Sequence, residues 1–153
     1  MVLRDPSVNV AILETARGGI LRRGLGYRKC TVGAVLNIQS DHLGLKGVET
    51  LDQLAEVKRV VVEIAQDTAV LNADDEATRA LGPRAHAPVV WFSRQRELAH
   101  GVFVRGGWIV ARLNGHVEEI CPLSEIFLRG QHNVENVLAA TACALWTGLA
   151  PAT

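Results

Sequence analysis

The chain has 153 residues, of which 48% are hydrophobic and 21% are charged, proportions typical of one globular domain and not of a disordered segment. Its 16 basic residues equal its 16 acidic residues in number, so net charge gives no support for nucleic acid or an anionic membrane as a partner. The three cysteines are far apart and form no CxxC pair, which argues against a disulfide framework and against a structural zinc site. The sequence has no signal peptide and no apolar run of about 18 residues, so we expect a cytoplasmic protein.

The first two thirds of the chain alternate between strand and helix patterns. Short apolar runs that are continuous and rich in Val and Ile are typical of strands covered on both faces, and they predict strands at 8–14, 31–37, 68–72 and 87–93. Apolar residues at helical spacing predict helices at 50–66 and 73–82, the first with Thr50 as its N-cap and Gln53 completing a capping box. The Gly-rich, basic segment 15–26 is expected to be a loop with one helical turn. This alternation indicates a parallel α/β sheet.

The last third of the chain has a different pattern. The dipeptides Gly106-Gly107 and Asn114-Gly115 each lie between β-rich runs, which predicts two antiparallel hairpins. Residues 130–149 are Ala-rich with apolar residues on one helical face, so we expect a final helix. The predicted fold is one α/β domain: a mostly parallel sheet flanked by helices, with an antiparallel hairpin extension.

Acidic and imidazole side chains follow two of the predicted strands. Glu14 ends the first strand, and Asp41 and His42 follow the second. In open parallel sheets ligands bind beyond the carboxyl ends of the strands, so these groups are expected along one edge, where they could hold Mg²⁺ or Mn²⁺. A turn-capping Asp and a hydrogen-bonded His explain the same pattern equally well.

Lys58 has an unusual position in its predicted helix. It follows Leu54 by four residues and therefore lies near the apolar face. Taken alone, the position favours a side chain that extends along the apolar surface to water, since buried lysines are rare. A lysine forced neutral or chemically modified is the alternative.

Two further polar groups lie next to predicted helices. Asn72, Asp74 and Asp75 follow a strand, and the simplest interpretation is an N-cap for the next helix. His132, Asn133 and Asn136 cluster at a helix N-terminus behind Gly130, where backbone N–H groups and amides could hold an anion or a nucleobase edge.

The arginines of the segment 15–26 form a separate cluster. Arg17, Arg22 and Arg23 are most simply a solvated surface, although guanidinium groups also suit carboxylate or phosphate binding.

The order and spacing of these features resemble the central ATP-binding domain of the Mur ligase superfamily. The series is Glu14, "NIQSDHLG", Lys58, "LNADD" and "GQHNVENVLAA", and it runs through nearly the whole chain. Within the superfamily, "LETARGGILRRGLGY" and "SDHLG" look most like the Mur-like domain of cyanophycin synthetases. "LRGQHNVENVLAA" looks more like the peptidoglycan ligases that add D-glutamate.

The resemblance implies a role for each group. Glu14 and His42 would be Mg²⁺ ligands, and Lys58 falls where Mur ligases carry a carbamylated lysine, which would act as a further metal ligand and catalytic group. His132, Asn133 and Asn136 would hold the adenine of ATP. Asn72, Asp74 and Asp75 of "LNADD" would form a structural motif near the nucleotide. From their location, Arg17 and Arg22 of "ARGGILRRG" could meet the acidic polymer or the acyl phosphate.

The implied reaction is ATP-dependent amide formation through an acyl phosphate, in the cyanophycin synthetase manner, with arginine added to poly-aspartate. The residues 1–153 contain no GxxxxGK[ST] segment, with which Mur ligases bind the ATP phosphates, so we expect a partial central domain that is inactive alone and lacks the P-loop and the C-terminal domain. The alternative is a non-catalytic paralogue that binds nucleotide weakly or pairs with a full-length ligase. A missing interior strand would leave an open sheet edge, through which the chain could also form a homo-oligomer.

Overall fold

A six-stranded sheet forms the centre of the molecule. The computed structural model describes residues 2–40, 43–44, 47–128 and 130–148. The strands lie side by side in chain order, the first four parallel and the last two antiparallel to their neighbours, which confirms the predicted mostly parallel sheet with a hairpin extension. They are β1 (Cys30–Val35), β2 (Ala65–Asn72), β3 (Val89–Ser93), β4 (Gly101–Arg105), β5 (Trp108–Leu113) and β6 (His116–Pro122).

Helices cover both faces of the parallel part of the sheet. The α-helices are α1 (Arg17–Arg23), α2 (Leu51–Glu63), α3 (Glu76–Arg79) and α4 (Gln131–Trp146), and short 3-10 helices span Val2–Arg4, Gly82–Arg84 and Leu123–Glu125. One core cluster packs α2 against β1 and β2 through Leu54 and Val62, and the other packs α4 against β2–β5 through Leu138 and Ala142. Successive residues of a strand therefore pack into opposite clusters, as expected for a sheet that is buried on both faces.

The local signals for α2 and the hairpins act as predicted. Thr50 accepts a hydrogen bond from the Gln53 N–H (3.2 Å), while the Gln53 side chain accepts from the Thr50 N–H (3.2 Å), which forms the expected capping box. The dipeptides Gly106-Gly107 and Asn114-Gly115 form the turns of the β4–β5 and β5–β6 hairpins.

The predicted strand at 8–14 is wrong. These residues have no regular secondary structure, and their apolar side chains face solvent, with Val10 65% and Ile12 95% exposed. A strand requires a neighbour for its backbone hydrogen bonds, and β1 is paired only with β2 among the described residues. The strand propensity of residues 8–14 is therefore not enough to form a strand without a pairing partner.

The segment 15–26 contains more helix than expected, because α1 has seven residues. It ends at Gly24, whose φ of 66° lies in the left-handed region that glycine adopts at little cost.

Close contact between α2 and β1 depends on Gly33. A Cβ atom at this position would lie 2.2 Å from the Val61 carbonyl oxygen and 3.1 Å from the Ala65 Cβ. The absence of a side chain lets the backbone of α2 approach the strand directly. Gly33 thereby sets the position of α2, the helix that carries Lys58.

Candidate functional site

Lys58, Asn72 and Asp75 lie at the edge of the sheet at which β1 to β4 end. We call this the carboxyl edge; it comprises the segments that follow Val35, Asn72, Ser93 and Arg105. An ion pair between Arg94, just after β3, and Glu135, in the second turn of α4, places the N-terminal end of α4 at this edge (Nε–Oε1 3.2 Å). The geometry matches the general location of ligand sites in open parallel sheets.

Glu14 and Lys58 line the same open cleft. The cleft has a volume of about 330 Å³, and its remaining walls are residues 15–18. Glu14 is exposed and precedes α1 instead of ending a strand. The structure thus brings together two predicted metal-site residues that are 44 positions apart in the sequence.

A hydrogen bond fastens the segment that contains α1. The hydroxyl groups of Thr15 and Tyr27 lie 2.8 Å apart and join the residue after Glu14 to the far side of the helix. Tyr27 is the only tyrosine in the chain. Sequence reasoning missed this pair, because no local spacing rule connects two hydroxyls 12 residues apart.

Lys58 is half-buried on α2, and its ammonium group donates a hydrogen bond to the Asn37 carbonyl oxygen (2.7 Å). Asn37 lies two residues beyond the end of β1. The side chain is therefore directed to the carboxyl edge, and it contributes to the wall of the cleft at the same time.

The two predicted substrate arginines line different cavities. Arg17 lines the cleft that contains Glu14 and Lys58. Arg22 lines an adjacent open cavity of about 300 Å³ together with Gly19 and Arg23, and its Nε donates to the Gly18 carbonyl oxygen (2.9 Å). Only Arg17 is thus next to the predicted metal-site residues.

Asn72 and Asp75 make hydrogen bonds within the protein. The buried Asn72 side chain donates to the Leu36 carbonyl oxygen (2.9 Å) and accepts from the Asp74 N–H (2.8 Å). Asp75 caps α3 by accepting from the Thr78 N–H (2.7 Å), as the simplest sequence interpretation predicted.

Three predicted nucleotide-site residues lie on the first two turns of α4. His132 and Asn136 are exposed and Asn133 is half-buried, and the Asn136 amide donates to the Asn133 side-chain oxygen (3.4 Å). Gly130, with φ 110°, precedes the helix, and a Cβ there would lie 2.7 Å from the His132 ring. Glycine at this position therefore leaves room for the imidazole over the helix N-terminus.

His42 and Asp41 lie outside the described residues. Within 2–40, 43–44, 47–128 and 130–148, no group of three or more His, Cys, Asp or Glu side chains is arranged to hold a metal ion. Among described residues, the carboxylate in the cleft beside Lys58 is that of Glu14. A metal bound in this cleft would thus need ligands beyond these side chains.

The three cysteines are free, half-buried thiols. Burial raises the pKa of Cys30 and of Cys143, and burial together with the charge of Glu125 raises the pKa of Cys121. Raised pKa values keep these groups protonated at neutral pH, so they are poor nucleophiles.

None of the helices in the described part of the chain combines the length and the apolar character needed to cross a membrane.

The chain is similar to ligases over most of its length. Its sequence is 40% identical over 155 aligned residues to the cyanophycin synthetase of Crocosphaera subtropica, an alignment that covers 99% of this chain and 17% of that protein. It is 43% identical over 118 residues to the UDP-N-acetylmuramoylalanine--D-glutamate ligase of Pelotomaculum thermopropionicum, covering 77% of this chain and 26% of that ligase. The chain therefore spans about a sixth to a quarter of the length of these relatives.

The fold has a solved counterpart. A structure of UDP-N-acetylmuramoyl-L-alanyl-D-glutamate--2,6-diaminopimelate ligase superposes with a TM-score of 0.71 at 21% sequence identity, over 89% of this chain and 29% of that protein. Residues 2–144 also match the sequence model of the Mur ligase middle domain. Because this match extends over most of the sequence, the chain belongs to the Mur ligase middle domain family.

Proposed function

We propose that the chain forms part of the nucleotide site of an ATP-dependent amide ligase that acts through an acyl phosphate and adds arginine to poly-aspartate. Membership of the Mur ligase middle domain family supports the reaction class. The 40% identity to a cyanophycin synthetase supports the substrate pair.

The observation that carries the proposal is the cleft shared by Glu14 and Lys58. Mg²⁺ commonly uses one or two carboxylates and takes its other ligands from water and substrate phosphates, so a cleft with one carboxylate fits a Mg²⁺–ATP site. Glu14 would bind this metal, and His42, by its match to the Mur ligase pattern, would bind a second metal. The metal, when bound, neutralises charge on the phosphates during phosphoryl transfer.

Lys58 can be carbamylated without losing its observed hydrogen bond. Addition of CO₂ to the neutral amine gives a carbamate and one proton, and the carbamate nitrogen retains one N–H that can still donate to the Asn37 oxygen. The modification replaces a cation with an anion next to Glu14, where it would provide a metal ligand. A carbamate signal in ¹³C NMR with labelled bicarbonate, absent in Lys58→Met, is the expected result.

The nucleotide base is assigned to the start of α4. His132, Asn133 and Asn136 would hold the adenine through ring stacking and amide hydrogen bonds. The Arg94–Glu135 ion pair, which joins the start of α4 to the segment after β3, supports this assignment. Asn72 and Asp75 would support the nucleotide indirectly, because both side chains hold neighbouring backbone groups.

The substrate carboxylate would attack the γ-phosphorus of ATP and release ADP. The amine of arginine would then attack the acyl phosphate, lose a proton and displace inorganic phosphate as the amide forms. Arg17, in the same cleft as Glu14, would bind the negatively charged substrate, and Arg22 would bind it from the other cavity. The proposed chemistry thus depends on positioning and charge neutralisation, without a side-chain nucleophile.

Calorimetric titration of the chain with ATP tests this assignment. We expect binding that strengthens with Mg²⁺ and that weakens about tenfold or more in Glu14→Gln, because the variant loses a charged metal ligand. Glu118→Gln, the same change at an exposed position on β6, is the matched control and should bind like the parent chain. Equal Mg²⁺-dependent binding by the parent and Glu14→Gln would refute the role of Glu14.

The ligase reaction requires a separate test. We expect no turnover by the chain alone and restored turnover when a polypeptide with a Gly-Lys-Thr phosphate-binding loop is added. ATP- and arginine-dependent phosphate release by the purified chain alone would contradict the first expectation.

A second candidate function is non-catalytic pairing with another polypeptide. It is favoured by the side of β1 that is unpaired among the described residues and by the exposed apolar side chains of Val10 and Ile12. Sedimentation analysis with a full-length ligase of the same family would test it, and failure of the two proteins to co-sediment would exclude it.

A further inference from the structure

The ends of β2 and β3 are joined through one carboxylate. The Asp74 side chain is only 4% exposed, and its Oδ1 accepts a hydrogen bond from the Ser93 hydroxyl (2.6 Å). Its Oδ2 accepts from the backbone N–H groups of Arg94 (2.7 Å) and Gln95 (3.2 Å), and the Arg96 Nε lies 3.5 Å from Oδ1. The carboxylate thus fixes the first turn of the chain after β3.

The same network reaches the end of β1. Asn72 accepts from the Asp74 N–H and donates to the Leu36 carbonyl oxygen. The next residue, Asn37, accepts the hydrogen bond from Lys58. Leu36 and Asn37 are neighbours in the chain, so the network ends one residue away from the carbonyl group that binds Lys58.

On its other side the network reaches α4. The Arg94 guanidinium binds the Glu135 carboxylate at 3.2 Å, and the two side chains are 26% and 19% exposed. Glu135 lies between Asn133 and Asn136 in the sequence. The Arg94–Glu135 pair therefore joins α4, which carries the proposed base-binding residues, to the segment after β3 whose backbone N–H groups bind Asp74.

We propose that Asp74 is a positioning residue that holds the two halves of the site in register through a carboxyl-edge bridge, defined as Asn72, Asp74, Arg94 and Glu135. One half is the cleft with Glu14 and Lys58, and the other is the start of α4. The inference rests on the proposed function for the roles of the two halves. A site that binds the phosphate chain and the base of one nucleotide must keep its two halves at a fixed separation.

A purely local role for Asp74 predicts a different outcome. As a loop cap it would stabilise only residues 93–96, whereas the bridge transmits its effect to α4. Amide hydrogen exchange separates the two roles because it reports protection residue by residue. It is measured on the whole chain without nucleotide, so the result does not depend on ATP binding.

In Asp74→Asn, an amide group faces two N–H donors in place of a carboxylate. We expect exchange at Arg94 and Gln95 to accelerate, and exchange at Glu135 to Val137 in α4 to accelerate by about tenfold, the effect of losing one charged hydrogen bond. Acceleration confined to residues 93–96 would overturn the inference.

Glu135→Gln tests the bridge from the opposite end and keeps the shape of the side chain. We expect faster exchange at Arg94 and Gln95, and in the double variant a total effect smaller than the sum of the two single effects, because both changes break the same connection. Glu118→Gln is the matched control and should leave these amides unchanged. Unchanged exchange at Arg94 and Gln95 in Glu135→Gln would overturn the inference even if Asp74→Asn did not fold.

Titration with Mg²⁺ and ATP then connects the bridge with the site. We expect about tenfold weaker ATP binding in Glu135→Gln than in Glu118→Gln, because the cleft and the start of α4 are no longer held at a fixed separation. Equal affinities would overturn the inference, whereas lack of ATP binding by the parent chain would count against the proposed function and leave the exchange result to decide on the bridge.

Discussion

Replacement of Gly33 by alanine tests how the contact between α2 and β1 is built. The new Cβ would lie 2.2 Å from the Val61 carbonyl oxygen, and a normal contact of this kind is about 3.3 Å, so α2 must move away by about 1 Å. Overpacking of this kind costs about 1–3 kcal/mol, while the lower entropy of the unfolded alanine chain returns about 0.4–1 kcal/mol. We therefore expect a net loss of about 1–2 kcal/mol in the free energy of unfolding.

Urea denaturation followed by tryptophan fluorescence measures this loss. With a slope of about 2 kcal/mol/M, the midpoint should fall by about 0.5–1 M. Gly19→Ala, in α1, is the matched control because a Cβ there has no heavy atom within 4 Å, and it should raise stability by about 0.5–1 kcal/mol. A Gly33→Ala midpoint at or above that of the parent chain would refute the close-contact argument.

Three further predictions concern separate parts of the molecule. Asp75→Ala removes the acceptor for the Thr78 N–H and should lower the free energy of unfolding by about 1 kcal/mol in thermal denaturation, whereas Asp75→Asn, which keeps an acceptor, should lose much less. Burial is the main cause of the raised pKa of Cys121, and the charge of Glu125 is the second cause. Glu125→Gln removes that charge, so the pKa of Cys121 should fall and its alkylation by iodoacetamide at pH 8 should become faster. An unchanged alkylation rate would contradict the charge effect. Thr31→Lys places a charge on the exposed edge strand β1 and should reduce self-association in sedimentation velocity; identical, concentration-independent sedimentation of both proteins would contradict edge pairing.

The sequence predicted those parts of the fold that depend on local signals. The capping box at Thr50 and the turns at Gly106-Gly107 and Asn114-Gly115 each lie within a few neighbouring residues, and the apolar face of α4 follows from the helical repeat of one continuous segment. The strand at 8–14 was wrong because pairing, which is not local, decides whether a β-prone segment forms a strand.

For the candidate site, residue types were easier to predict than contacts. Glu14 and Lys58 share a cleft, but Glu14 precedes α1 instead of ending a strand, and Asp41 and His42 lie outside the described residues, so the meeting of Glu14 with His42 stays a prediction. The Arg94–Glu135 pair and the Asp74–Ser93 hydrogen bond could not be predicted, because they join residues 41 and 19 positions apart without any spacing pattern.

The placement of α4 on the sheet has a consequence for protein synthesis. This helix follows all six strands in the sequence, yet it covers one face of β2, β3 and β4, whose apolar side chains include Val70, Val90 and Val102. At about 5–20 residues per second, a ribosome needs about 5–20 s to pass from β1 to the end of α4. During that interval the apolar face of the sheet has no helix to cover it. We therefore expect chaperones to bind this face of the sheet until α4 has been synthesised.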